Sequence, residues 1–213
     1  MYDWRRLPVF KVCLRAEVGI PVIPPHIFAE KQNTSNSRVP NMSRHKILWQ
    51  HFPVHSPCQP TLELITKCFD SVAEDIASPK NKKDSNAVLE KVRSGLEQIG
   101  FTVETSKKRI GKINVPVLYG ENGKVSKHFD ADAYHPVEKI VLEVEAGRGV
   151  TNNQFLKDLF QACVMQDVDY AAIAVRQDYR GNRDYEKVIE FFKTIYASNR
   201  LVLPLKGVLI IGY

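Results

Sequence analysis

His128-Phe129-Asp130-Ala131-Asp132-Ala133-Tyr134, then the turn His135-Pro136-Val137-Glu138, then Lys139-Ile140-Val141-Leu142-Glu143-Val144-Glu145-Ala146-Gly147-Arg148-Gly149, is the stretch that decides the fold. It reads as two strands joined by a short turn. The first strand carries two aspartates and the second two glutamates, each pair at i, i+2. Side chains two apart on a strand point to the same face. Two carboxylates from each strand therefore converge on one small volume. Like charges that close repel one another, and a bound divalent cation is the usual compensation.

The flanks of this hairpin read as ordered elements. Leu62, Ile65, Phe69, Val72, Ala73 and Ile76 recur at helical spacing and predict a helix from Pro60 to about Ser78-Pro79. A second helix is predicted from an Asp84 or Ser85 cap to a stop at Gly100, with Val88, Leu89, Val92, Leu96 and Ile99 on its inner stripe. Glu90 and Glu97 fall on its outer side. Phe101–Thr105 and Ile113–Tyr119 read as strands, with Pro116 marking an edge or bulge and Glu121-Asn122-Gly123-Lys124 a hairpin turn. Beyond the hairpin, Thr151 is placed to cap a helix through Met165. Tyr170–Val175 is a continuous apolar run, as in a strand buried on both faces. A helix over Asp184–Tyr196 and a strand over Val208–Ile211 complete the pattern.

Residues 1–58 are different. Prolines at 8, 21, 24, 25, 40, 53 and 57 and the polar run Lys31–Ser37 predict an irregular N-terminal arm, leaving one domain over 59–213. His45, His51, His55 and Cys58 lie close in sequence, but their spacing fits no common zinc finger. The four cysteines are scattered, no run of eighteen apolar residues occurs, and the first residues do not read as a secretory signal. The expectation is a reduced, cytoplasmic protein.

Net charge is +6, unevenly spread. Residues 1–58 hold 8 Lys and Arg against 3 Asp and Glu, residues 59–129 hold 12 against 9, and residues 130–213 hold 10 against 12. A basic shell around a locally acidic site suits a polyanion whose phosphates approach bound metal.

The order helix, strands bearing Asp and then Glu-x-Glu, helix, buried strand resembles the PD-(D/E)xK nuclease superfamily over about residues 85–176. Its motif is an Asp on one strand and (D/E)-x-K on the next. Asp132 lies eleven residues before Glu143, and position 145 is Glu where most members have Lys. That departure resembles BamHI-type restriction enzymes, in which Glu-x-Glu precedes a Gly-containing turn. The resemblance implies an α/β restriction-endonuclease-like core, a mixed central sheet flanked by helices. It implies a Mg²⁺-dependent DNA endonuclease of type II character, with Mn²⁺ as a substitute, acting as a homodimer on double-stranded DNA. Asp132 and Glu143 become metal ligands, with Asp130 as the alternative or second ligand, and Glu145 a general base. Lys107, Lys108, Arg109, Arg148, Arg176, Arg180 and Arg183 become DNA contacts. A junction or repair nuclease of the same fold, or a DNA-binding module without turnover, are the alternative expectations.

Overall fold

The computed structural model describes residues 47–106, 109–147 and 149–213, with the backbone alone for Arg109. The arm before residue 47, His45, Lys107, Lys108 and Arg148 lie outside the described residues.

The first element is a strand, β1 (Leu48–Phe52), followed by α1 (Pro60–Ser71), α2 (Ala73–Ile76) and α3 (Ser85–Gln98). The Gln59 side chain caps α1 by accepting from the Leu62 N–H at 2.9 Å, and Pro60 sits at the first turn, where its missing donor costs nothing. The predicted helix over 60–78 is in fact two. It breaks at Val72, whose φ of −116° is not helical. Leu62, Ile65, Phe69, Ala73 and Ile76 still face inward across the break. In α3 the Asp84 carboxylate accepts from the Ala87 N–H at 2.9 Å, and Val88, Leu89, Val92 and Leu96 are buried. Glu90 and Glu97 are on the solvent side and reach Arg93.

There follow β2 (Thr102–Val103), β3 (Ile113–Tyr119), β4 (Val125–Ala131), β5 (Ala133–His135), β6 (Ile140–Glu145), α4 (Gln154–Val164), β7 (Tyr170–Val175), α5 (Asp184–Ser198) and β8 (Gly207–Gly212). The six-stranded main sheet has the order β1-β8-β7-β6-β5-β2. Strands β6, β7 and β8 are parallel, joined by crossovers through α4 and α5; the others pair antiparallel. The sheet is therefore mixed and flanked by helices, as expected. β3 and β4 form a separate two-stranded hairpin, irregular between Pro116 and Leu118.

Side-chain alternation divides the core in two. Ile140, Leu142, Val144, Ala172, Ala174, Leu209 and Ile211 face α1, α2 and α3. Val141, Ala171, Ile173, Val175, Val208 and Ile210 face α4 and α5. Both faces of β7 and β8 are covered, which is why these strands are apolar throughout. Full burial of a side chain such as Leu142 or Phe192 contributes about 1.5–3 kcal/mol.

Two local expectations are corrected. Residues 48–52, within the arm by composition, are an edge strand of the main sheet, and Phe52 stacks on Phe192 and Tyr196 with ring centroids 5.6 and 5.7 Å apart. Thr151 does not cap α4. The helix starts at Gln154 after Asn153, which is left-handed at φ 54° and makes no side-chain cap. No helix among the described residues is long and apolar enough to cross a membrane.

Candidate metal and nuclease site

Alternation along β6 places Val141, Glu143 and Glu145 on the face toward α4 and α5, while Leu142 and Val144 fill the opposite core. The two glutamates stand at the end of the strand, beside Ile173 and Val175 of β7 in register. A carboxylate there has apolar neighbours and little water. The inner stripe of α4 reads Phe155, Asp158, Leu159 and Ala162, so a third carboxylate descends on the same place from above. Asp158 is 4% exposed.

The fourth group comes from a joint. The first predicted strand is not continuous. β4 pairs with β3, β5 pairs with β6, and Asp132 is the bend between them. Its carbonyl accepts from the Glu104 N–H and its Oδ2 accepts from the Val144 N–H, both at 2.8 Å. Asp132, Glu143, Glu145 and Asp158 line one cleft of about 450 Å³, with Glu104, Lys112, Lys157 and Ser85 at its walls.

Burial and mutual repulsion raise the affinity of these groups for protons. Burial pushes Asp132 up to about 6, against the pull of the Val144 N–H. Burial, then Asp132 and Asp158, hold Glu143 well above the usual carboxylate range. Asp158 is pushed up to about 8, by burial first and then by Glu145. Glu145 is raised less, because Asp158 hydrogen-bonds to it. Of the two, Asp158 has its proton affinity pushed up further, and a hydrogen bond joins the pair. Glu143 Oε1 and Asp158 Oδ2 are buried without a hydrogen-bond partner.

The donor chemistry is that preferred by a hard divalent cation. All four groups are hard oxygens, two of their oxygens are buried and orphaned, and no cysteine lines the cleft. Among the described residues no group of three or more His, Cys, Asp or Glu side chains is placed to hold a metal ion as it stands. Magnesium does not require three such ligands, because it retains several waters and binds through one or two carboxylates.

The remaining candidates are placed as follows. Asp130 also lines the cleft, but it belongs to the β3–β4 hairpin, where it accepts from Asn114 Nδ2 at 2.8 Å and lies 3.5 Å from Lys112 Nζ. Lys112 also reaches Glu104 at 3.2 Å. Arg176 and Arg180 line a neighbouring pocket after β7, both within cation–π distance of the Tyr179 ring. Arg183 stands apart, ion-paired with Glu186. The structure adds Asp158, Glu104, Lys112 and Lys157, which the motif does not contain. Asp158 had a sequence signal: it is an acid at an inward position, three residues after Phe155 and one before Leu159.

No protein-family model matches this chain, and no curated protein does. Among solved structures the chain is similar to the crystal structure of free BglII, at 12% identity over 78% of each chain with a TM-score of 0.44.

Proposed function

We propose that this chain is a Mg²⁺-dependent DNA endonuclease of the PD-(D/E)xK type, hydrolysing phosphodiester bonds. The observation that carries the reading is the convergence of Asp132, Glu143, Glu145 and Asp158 in one cleft, with two buried carboxylate oxygens left unpartnered. Divalent cations at such a site stabilise charge on the reacting phosphate and activate water. Asp132 and Glu143 are the ligands in this reading, with Asp158 as an additional one. Glu145 stands at the lysine position of the superfamily, as in the BamHI-type variant, and its raised proton affinity suits it to hold the proton of the attacking water. Lys157 and Lys112, lining the same cleft, offer the positive charge that position 145 lacks. A homodimer, with one cleft per strand, accounts for cutting double-stranded DNA.

Incubation of supercoiled plasmid with Mg²⁺ or Mn²⁺ tests the proposal. Nicked and linear products are expected for the wild type and none with EDTA. Asp132→Ala and Glu143→Ala each lower the rate by roughly a hundredfold or more, the scale of a lost catalytic electrostatic contact. Cleavage unchanged in both variants overturns the site.

A further inference from the structure

A second pocket adjoins the acidic cleft and has the opposite character. The acidic cleft and a shallow trough share Ser85 and Glu145, and that trough shares Asp84, Ala146 and Tyr179 with a pocket of about 480 Å³. The three form one continuous groove across the end of β6 and β7. Lys82, Arg176 and Arg180 line its far end.

Arg176 is the informative residue. It is 8% exposed, donates to the Lys83 carbonyl, and lies with its guanidinium carbon 5.5 Å from the Tyr179 ring centroid. None of the carboxylates of the described residues is ion-paired with it. Asp84 and Asp178 are in the same pocket, but each is engaged by backbone: Asp84 caps α3, and Asp178 accepts from the Gly181 N–H at 3.0 Å. The buried Asp184 carboxylate feels the Arg176 charge but is not ion-paired with it, so the guanidinium keeps donors free of any carboxylate contact, and an anionic ligand in the pocket would engage them. Arg180, also over Tyr179 at 5.2 Å, and Lys82 are solvent-facing and add charge at the mouth. Arg176 is further joined to the acidic side: it interacts with the Tyr213 hydroxyl, which donates to the Glu145 carbonyl at 3.0 Å.

We propose that the Arg176–Arg180 pocket is a phosphate subsite, taking a phosphodiester of the same DNA strand whose neighbouring phosphodiester lies over the acidic cleft. This rests on the nuclease reading for the identity of the strand. Its function is register: holding one phosphate at Arg176 sets which bond of the strand reaches Asp132 and Glu143.

The test is binding without turnover. A short fluorescein-labelled DNA duplex is titrated with the full chain in EDTA, and anisotropy is read across a series of KCl concentrations. Arg180→Met and Lys82→Met are expected to weaken binding by roughly tenfold and fivefold, and each to lower the slope of log affinity against log salt by about one. Arg176→Met is expected to weaken it at least as much as Arg180→Met; if that variant melts early, Arg180→Met decides, since its side chain is at the surface. Unchanged affinity and salt slope in both Arg180→Met and Lys82→Met, or no binding by the wild type, overturns the subsite. Weakened binding in a chain that never cleaves plasmid keeps the subsite and removes the nuclease reading. Cleavage by a chain whose binding ignores both substitutions does the reverse.

Discussion

Asp132 Oδ2 accepts a hydrogen bond from the backbone N–H of Val144 at 2.8 Å, so the joint between two sheets is pinned to the residue that separates Glu143 from Glu145. The backbone thus fixes one carboxylate oxygen of a residue that lines the cleft. Asp132→Asn preserves an acceptor for Val144 but removes the negative charge. The expected result is a melting temperature within a few degrees of wild type and Mg²⁺ or Mn²⁺ affinity reduced by about 10- to 100-fold. Calorimetric titration of the ion beside a thermal melt checks both halves. Asp132→Ala loses the tie as well and is expected to melt lower than Asp132→Asn.

Stability should fall as pH rises in the absence of divalent ions. An unfolded carboxyl releases its proton near pH 4, whereas Asp132 holds one up to about 6 and Asp158 up to about 8 in the folded chain. Between these limits the native state binds more protons than the unfolded state, so the free energy of unfolding decreases with pH. The contribution is fully present below pH 4 and is lost progressively up to about pH 8. Thermal melts in EDTA across that range measure it. Metal reverses the trend, because cation and proton compete for the same oxygens and binding strengthens as pH rises.

Relief of the carboxylate cluster should stabilise the fold at the expense of activity. Glu143→Met replaces a buried acceptor that lacks a partner with an apolar chain of similar length. Asp158→Asn removes a carboxyl whose ionisation is disfavoured by burial and Glu145, while its amide can still donate to Glu145. Each is expected to gain about 1–3 kcal/mol in urea unfolding at pH 8 and to abolish metal-dependent cleavage. A loss of stability in both would mean that the cluster is not strained.

The turn after β6 is a place where only glycine fits. Gly147 has φ +127°, and a Cβ there would stand 2.8 Å from Tyr179 Cε2. Gly147→Ala combines backbone strain with displacement of the ring on which Arg176 and Arg180 both lie, and is expected to cost about 2–4 kcal/mol. Gly123, with φ +69° and open space around it, is the control: Gly123→Ala costs about 1 kcal/mol, the strain of a left-handed alanine alone. Chemical denaturation of the two variants separates these cases.

The parts of this architecture that depend on near neighbours were legible in the sequence. The Asp84 cap and the stripe of α3 are local, and the unbroken apolar run of β7 reports burial on both faces. The alternation of β6 predicted that Glu143 and Glu145 share a face, and they do. What escaped depends on distant partners. β1 exists because β8 offers it an edge, and its own five residues carry no clear period. The bend at Asp132 arises because one side of the segment pairs with β3 and the other with β6. Val72 interrupts a helix whose stripe continues unbroken past it. Asp158 is hard to read from the sequence because a lone acid between Leu156 and Leu159 looks like a surface residue until the helix face is drawn. Lys112 reaches the cleft from a loop with no periodic signal at all.

The hairpin β3–β4 joins the main sheet at both ends, through the segment that follows β2 and through Asp132 before β5, and its base packs Val115, Val117 and Ala131 into the core. Its far end, Tyr119 to Val125, extends into solvent, with Leu118, Tyr119 and Val125 uncovered. The tip is thus separable from the root: the root is held by Glu104, Val144, Gln166 and the core, while the tip bears on none of them. Changes of length or composition in residues 118–125 are expected to alter the exposed surface of the tip without repositioning the carboxylates at the root.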